Sequence, residues 1–531
     1  MGGQGSGGGF MPVSITCYGG VGEIGGSKVL IEDGDLRLLL DFGIAFGRQE
    51  HFFNEFLRPR AARGLLDLLA LDLIPPLEGL YRADLVFPGL WERFRAHPCY
   101  RSLAREDGRP AVDGLIVSHA HLDHNGDVSY VDARVPILTT RASAFVARAM
   151  QITGASSFER ELTYTSPRKP GPTGELISDR RSPYQLRRFG FLDGELSEKA
   201  SASWTQSPGT KGLEPEGDTD PTACPRVCWW PVDHSIPGAI GCAIETSAGW
   251  IAYTGDIRFH GANGEHTWQF ARALAALNPV ALLCEGTHIG SHPTVTEADV
   301  TDRAMGLVHG KAGRLVVADF APRNTERLLS FLAVAQRTQR TLLVQPKDLY
   351  LLQAISLADP EGFADPAALT GLGLYADPKA APRTWETNLR QSWPGVIAGP
   401  VEVSRDPGAY ILAFSLWDAN DLLDLDGIAG GAYLYCNSRA YDDEQAADLD
   451  RLRNWVRMAG LTLYGDPDDE GSPALHASGH APGPALVEFV RIVNPSTLVP
   501  VHTEDPGWWV EQLRGSGIAV RMPVRDRPLA F

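Results

Sequence analysis

Apolar and polar positions along this chain follow two different periods, and the change of period divides it. From Pro12 onward the apolar runs are short and strand-like. "PVSITCYGG" is followed by "VGEIGGSKVLIEDGDLRLLLDFG", where two apolar runs flank "EDGD" and Asp33-Gly34 is a strong hairpin turn signal. The second run ends at Asp41. A carboxylate at the end of a buried strand is costly unless paired, so Asp41 is expected to support a neighbouring site from behind. Gly19, Gly20, Gly22, Gly25 and Gly26 mark tight turns, and no helix start among them suggests a phosphate cradle. Residues 44–113 read poorly, with helical stretches such as "RAARGLLDLLALDL". Leu115, Ile116 and Val117 form a short buried strand. Residues 134–152 give another strand and then a helix around "RASAFVARAMQI". Residues 155–225 turn polar and rich in Pro, Ser, Gly and Thr, which predicts a long, partly flexible surface excursion. Strands resume in "WWPVDHSIPGAIGCAIETSAGWIAYTGDIRFH", with a hairpin at "SAG" that ends at Asp256. A helix, "HTWQFARALAALN", then leads to a buried strand, "PVALLCEGTH", that ends at Glu285.

Between 290 and 435 the pattern becomes a regular alternation. "TEADVTDRAMGLVHG" is helical with Thr296 as its cap, "GRLVVADF" a strand, "TERLLSFLAVAQR" a helix, "TLLVQ" a strand, "KDLYLLQAISLA" a helix and "AYILAFS" a strand. Strands alternating with helices imply a parallel sheet in an α/β domain. None of these segments carries a His/Asp cluster, so the module is expected to bind or cover substrate. Residues 436–531 return to the first pattern after the strand and turn "GAYLYCNSRA". An amphipathic helix, "DEQAADLDRLRNWVRMAG", ends in Gly460. "LHASGHAPGPALVEFVRIVNPSTLVPVHTED" then supplies His476, His480 and His502.

Composition narrows the classes. The 531 residues are 44% hydrophobic and 21% charged, which is ordinary for a globular chain of more than one domain. The net charge of −17 argues against a protein that coats nucleic acid with a basic surface. It leaves room for a nuclease, because bound metal ions dominate their own pocket. Seven cysteines describe no disulfide framework, and Cys224 and Cys228 form a candidate zinc clip without a second pair nearby. No apolar run is long enough for a membrane span, and residues 1–11 read as a flexible Gly-rich lead without the features of a signal peptide. The expected compartment is a reducing cytoplasm.

The chemistry concentrates in "LIVSHAHLDHNGD", residues 115–127. His119, His121, Asp123 and His124 lie within six residues at the mouth of an apolar strand. In extended chain His119 and His121 point the same way and can grip one ion, while the following turn aims Asp123 and His124 at a second. Imidazole and carboxylate suit zinc, and oxygen-rich sets suit manganese or magnesium. His234 on a loop and Asp256 at a strand end join the set, Asp256 being well placed to bridge two ions. His480 sits in a Gly-bounded turn that opens a helix, where backbone N–H groups can face an anion. His502 follows the strand "TLVPV", and His476 reads equally well as a plain loop residue.

These motifs in this order, with "GGVGEIG", "DHSIPGA", "HASGHA" and "PVHTE", resemble the metallo-β-lactamase fold nucleases of the β-CASP group, and within it the ribonuclease J branch. The resemblance runs from about residue 12 to the end. It implies an α/β fold: a metallo-β-lactamase αββα sandwich with an inserted α/β β-CASP domain that caps the cleft. The expected division is a metallo-β-lactamase part over 12–289, the β-CASP domain over 290–435 and a return to the first domain over 436–531. It implies that His119, His121 and His234 hold one divalent ion and Asp123, His124 and His502 the other, with Asp256 bridging and zinc favoured over manganese or magnesium. Asp123, Asp256, Glu285 and His480 would carry the catalysis, the last two meeting the scissile phosphate, and Ser478, Gly479 and His480 would contact substrate phosphate. The expected substrate is single-stranded RNA with a 5′-monophosphate, cut from the 5′ end, internally, or both. A His at position 502 favours RNA over the DNA cleaved by related repair or phage-defence enzymes. A hydrolase of small thioesters or lactams is the remaining alternative, with no need of Glu285, His480 and His502. The string "CEGTHIG" departs from the branch and predicts different contacts around Glu285. The branch carries a further C-terminal domain linked to oligomerisation, whereas this sequence stops 29 residues after His502. The long segments 44–113 and 155–225 are expected to narrow the RNA channel or to receive a protein partner or a second copy.

Overall fold

The computed structural model describes residues 12–54, 56–216, 227–290 and 295–531. The Gly-rich lead and Cys224 lie outside the described residues. The fold is mixed α/β and is built around three large sheets.

The first sheet has seven strands in the order Phe189–Phe191, Ile137–Thr139, Gly114–Ile116, Leu36–Phe42, Lys28–Asp33, Ser14–Gly19 and Pro528–Ala530. Its hairpin turns at Gly34, where φ is 60°. Side-chain direction repeats every two residues, so Ile15, Cys17, Val29, Ile31, Leu38 and Leu40 share one face, while Tyr18, Leu30 and Leu39 share the other. Both faces are covered, which explains why the strands read as continuous apolar runs. The second sheet has six strands: Val227–Pro231, Ile240–Thr246, Gly249–Tyr253, Ala281–Cys284, Thr497–Pro500 and Ala519–Val520. Cys242, Ile244, Ile251, Tyr253, Leu283 and Val499 from this sheet close the core against the inner face of the first. Behind the second sheet lie the helices Gly264–Leu277 and Gly483–Val493, joined to it through Phe270, Leu274, Leu486 and Phe489. Behind the first lies the 65–131 segment, packed through Leu68, Leu77, Leu85 and Leu103.

The third sheet is parallel throughout, with seven strands in the order Val396–Ala398, Leu372–Tyr375, Thr341–Val344, Tyr410–Ala413, Val316–Asp319, Ala432–Tyr435 and Thr462–Tyr464. Helices cover both faces. The expected alternation is present, but it runs past residue 435: helix Asp443–Met458 is the crossover to a last parallel strand, Thr462–Tyr464. That strand has only three residues, too few for a period to show.

Two further readings need correction. The excursion 155–225 is not only surface. Phe189–Phe191 pairs in parallel with Ile137–Thr139 in the first sheet, and Trp204 is buried against Phe145 and Phe189. Its apolar stretch at 189–192 is only four residues long and Trp204 stands alone, so neither shows a period. The helical reading of 60–73 shrinks to a turn at Ala61–Arg63 and a helix of five residues, Leu66–Ala70. Cys17, Cys99, Cys228, Cys242, Cys284 and Cys436 are free thiols. Among the described residues no helix is long and apolar enough to cross a membrane.

Candidate metal centre

The strand Gly114–Ile116 delivers the His/Asp turn to the edge of the two-sheet core. His121 is the last extended residue (φ −74°, ψ 146°) before the short helix Leu122–Asn125, which carries Asp123 and His124. The turn is fastened to the first hairpin by Ser27 N donating to Asp123 O at 3.1 Å and Ile44 N to Leu122 O at 2.9 Å. Gly43 allows this approach, since a Cβ there would fall 1.7 Å from Asp123 O.

Three groups of side chains converge. The ligand atoms of His119, His121, His234 and Asp256 lie within 4.8 Å of one another, as do those of Asp123, His124, Asp256 and His502, and those of Asp256, Glu285 and His480. His121 Nδ1 is 3.1 Å from His119 Nε2 and 3.0 Å from His234 Nε2. Asp256 Oδ2 is 3.1 Å from His124 Nε2 and 3.6 Å from His119 Nε2, so one carboxylate stands between the two histidine groups. His502 Nε2 is 3.3 Å from Asp123 Oδ2, and its backbone is left-handed (φ 51°). Nearly four hundred residues separate Asp123 from His502 in the chain. The strand tips alone bring them together.

The donor set fits divalent cations. Asp256 Oδ1 and Oδ2 and His124 Nε2 are buried polar atoms without a hydrogen-bond partner. Buried polar groups are rarely left so, and imidazole with carboxylate is a set that zinc accepts. Burial, reinforced by neighbouring imidazoles, holds His119 and His121 well below the usual imidazole range, and burial brings His234 down to about 4. All three are therefore neutral, the form that offers a lone pair. Burial opposes ionisation of Asp256 and Asp123, but His124 and His502 outweigh it and keep both carboxylates low.

A supporting layer sets the ring directions. Asp41 sits in a β-bulge, with Lys28 opposite Phe42 and Val29 opposite Leu40, and takes a left-handed φ of 54°. Its Oδ1 accepts from Ser118 N at 2.7 Å. Its Oδ2 accepts from Ser118 Oγ at 2.8 Å and from Tyr253 Oη at 2.7 Å, and lies 2.7 Å from His124 Nδ1. This is the support expected from behind the turn. His234 Nδ1 lies 2.6 Å from Gly479 O, so the backbone of the "HASGH" turn orients a histidine of the first group. A Cβ on Gly479 would fall 2.7 Å from Ser235 Oγ.

Glu285 and His480 form a pair beside Asp256. Glu285 Oε2 is 3.0 Å from His480 Nδ1, while its Oε1 accepts from Ile257 N at 2.6 Å. Burial pulls the His480 imidazole down, but Glu285 and Asp256 outweigh it and raise it to about 9. Thr287, unread in the sequence, donates to Glu285 Oε2 at 2.7 Å and lies 2.8 Å from His502 Nδ1, linking the pair to the second histidine group. The departure "CEGTHIG" thus carries its own contacts. Ser478 Oγ accepts from His480 N at 3.0 Å and lies 2.8 Å from His288 Nδ1. His476 stands apart, its Nδ1 3.2 Å from Cys436 O, and joins none of the three groups.

A buried ion network, also unread, holds this turn. Arg258 lies 3.1 Å from Asp233 and 3.2 Å from Glu297, and donates to Ser478 O. Arg327 lies 2.7 Å from Glu297 and donates to Cys436 O and Leu475 O. Glu297 thereby couples the strand end after Asp256 to the parallel module. Scattered single charges give no periodic signal, so only the fold reveals them.

No family model matches the chain. Against ribonuclease J of Mycoplasma pneumoniae it is 20% identical over 514 residues, covering 93% of this chain and 68% of that protein. The chain resembles ribonuclease J along nearly its whole length. Against ribonuclease J of Corynebacterium glutamicum it is 20% identical over 498 residues, covering 92% of this chain and 53% of that one. Against ribonuclease J 2 of Streptococcus pyogenes the figures are 21% over 496 residues, 93% and 70%. The chain thus spans between about half and just over two thirds of these relatives. A crystal structure of a protein of unknown function from Enterococcus faecalis V583 matches with a TM-score of 0.63 at 19% identity, covering 98% of this chain and 100% of that one. That likeness speaks to fold.

Proposed function

We propose that this chain is a metal-dependent ribonuclease that hydrolyses RNA phosphodiester bonds. The fold reading is a metallo-β-lactamase αββα sandwich made by the two mixed sheets, with the parallel module inserted as a β-CASP domain. The observation that carries the proposal is the sharing of buried, unpartnered Asp256 by two histidine groups with the Glu285–His480 pair alongside. His119, His121 and His234 would hold one ion, Asp123, His124 and His502 the second, and Asp256 both. Two divalent ions held there would supply an activated water and neutralise phosphate charge. His480, held through Nδ1 by Glu285, leaves Nε2 to meet the phosphate or to hand a proton to the leaving oxygen. Ser478 and Gly479 are the proposed neighbours of a 5′-terminal phosphate, which would let the enzyme count nucleotides from an end. By the resemblance, a His at position 502 favours RNA over DNA.

The test is metal analysis of the pure protein with product mapping on 5′-labelled RNA and a matched DNA. Stoichiometric divalent metal and RNA products with 5′-phosphates are expected. His121→Ala and Asp256→Ala should each abolish cleavage while circular dichroism stays unchanged. RNA cleavage by the double variant at the wild-type rate would end the proposal, and preference for the DNA would move the substrate.

A further inference from the structure

The excursion after helix Arg141–Thr153 forms one wall of a second cavity, of about 550 Å³, and Pro382–Trp385 of the parallel module form the other. Four cations line it: Arg160, Arg180, Lys211 and Arg383. The chain as a whole carries −17, so this concentration runs against the background. Arg160 and Arg180 are exposed and make no ion pair with a described residue. Lys211 donates to Asp179 O at 2.9 Å and lies 5.3 Å from the Tyr184 ring. Arg383 donates to the carbonyls of Thr153 and Gly154 at 2.7 and 2.9 Å. The acid in the lining, Glu161, is already matched by Arg82 at 2.6 Å and Arg168 at 3.3 Å. Beneath Tyr164, 5.6 Å from its ring, lies the guanidinium of Arg148, a buried cation whose Nη1 has no hydrogen-bond partner. Within the lining the cations outnumber the acid four to one.

Three aromatic side chains, Tyr164, Tyr184 and Trp385, share the lining. Tyr164 and Tyr184 meet edge to face at 5.4 Å, and the Trp385 indole N–H has no partner. Cations interleaved with aromatic faces are what single-stranded nucleic acid requires, the cations for its backbone and the rings for its bases. Position supports the match. The N-terminal end of helix Arg141–Thr153 is tied to the loop that carries His234, by Thr140 Oγ1 donating to Gly238 O at 2.8 Å. Its C-terminal end, Gln151 and Ile152, lines the cavity. At 1.5 Å per residue the helix separates the two sites by roughly 20 Å, a span that a strand crosses in several nucleotides.

We propose that this cavity is a second anchor for the RNA strand being cut, with Arg160, Arg180 and Lys211 holding a phosphate and Tyr184 or Trp385 taking a base. The inference rests on the ribonuclease reading above. It is tested with Arg160→Ala/Arg180→Ala, whose exposed side chains leave the fold intact. The double variant should bind a long single-stranded RNA at least tenfold more weakly than wild type. Its log–log salt dependence should flatten by about 0.7 for each phosphate left without its cation. Hydrolysis of a dinucleotide, too short to reach the cavity, should keep its wild-type rate. Unchanged affinity and unchanged salt slope for the long RNA would overturn the anchor. So would saturation of the cavity by AMP without competition from the long RNA, which would assign it to a free nucleotide. If wild type cleaves neither substrate, the nuclease reading fails, and the binding comparison still decides the cavity.

Discussion

Asp41→Asn isolates what the supporting layer does. The substitution keeps the size of the side chain but replaces one oxygen by a donor. The new amide nitrogen cannot take the place of Oδ1, because Ser118 N–H donates there at 2.7 Å and cannot reverse. It must take the place of Oδ2, within 2.8 Å of Ser118 Oγ, Tyr253 Oη and His124 Nδ1. Both hydroxyls can rotate to accept. The imidazole can accept only by moving its proton from Nδ1 to Nε2, the nitrogen 3.1 Å from Asp256 that belongs to the second ligand group. Binding a cation at that group then requires the tautomer to be reversed. Loss of such a supporting contact weakens metal affinity about 10–100-fold, or roughly 1.4–2.7 kcal/mol. The assay is titration of both ions against a competing chelator, with thermal unfolding as a control for the fold. The weakening should fall on one ion of the two. Wild-type affinity for both ions in a folded Asp41→Asn protein would refute the reasoning.

Other outcomes follow from buried charge and from the proposed chemistry. Lys28 Nζ lies 2.8 Å from Asp127 Oδ2 with both side chains buried, so Lys28→Met should cost about 3–5 kcal/mol in denaturant unfolding; a loss below about 1 kcal/mol would show that the pair is dispensable. Asp319 accepts from Tyr433 Oη and Asn437 Nδ2, each at 2.7 Å, and burial pushes its carboxyl up from 3.8 to about 7. A value raised on folding gives stability that is complete below about pH 4 and is lost as pH climbs to 7, by up to about 4 kcal/mol. Asp319→Asn should remove that decline, and parallel wild-type and variant curves of unfolding midpoint against pH would contradict it. RNA bearing a 5′-monophosphate should be degraded faster than the 5′-triphosphate form; equal rates would remove the end-binding role given to Ser478 and Gly479 and leave internal cleavage standing.

What the sequence reveals here depends on how locally each feature is encoded. The residues that converge are legible where they end an apolar strand: His119 and His121 after Leu115–Val117, Asp256 after the hairpin, His502 after Thr497–Pro500. Asp41 is legible for the same reason. Thr287, Arg258, Glu297 and Arg327 are not, because they act through partners such as His502 for Thr287 and Glu297 for Arg258 and Arg327, dozens to hundreds of residues away. The parallel module shows its period in long helices such as Thr325–Arg337, yet hides its last strand in three residues. The excursion misleads because Trp204 is buried alone between Ser203 and Thr205, and Phe189 and Phe191 lie in a strand of only three residues.

The strand Ser14–Gly19 completes its pairing with Pro528–Ala530, which is synthesised some five hundred residues later. Until residues 528–530 leave the ribosome, the edge of that sheet stays open and is exposed to misassembly with other unpaired edges. His502 also arrives late, so a nascent chain that has not yet reached it holds only Asp123, His124 and Asp256 of the second group. On the proposed ribonuclease reading, the second group would stay incomplete, and cleavage of the message being translated would be withheld, until the ribosome had passed that codon.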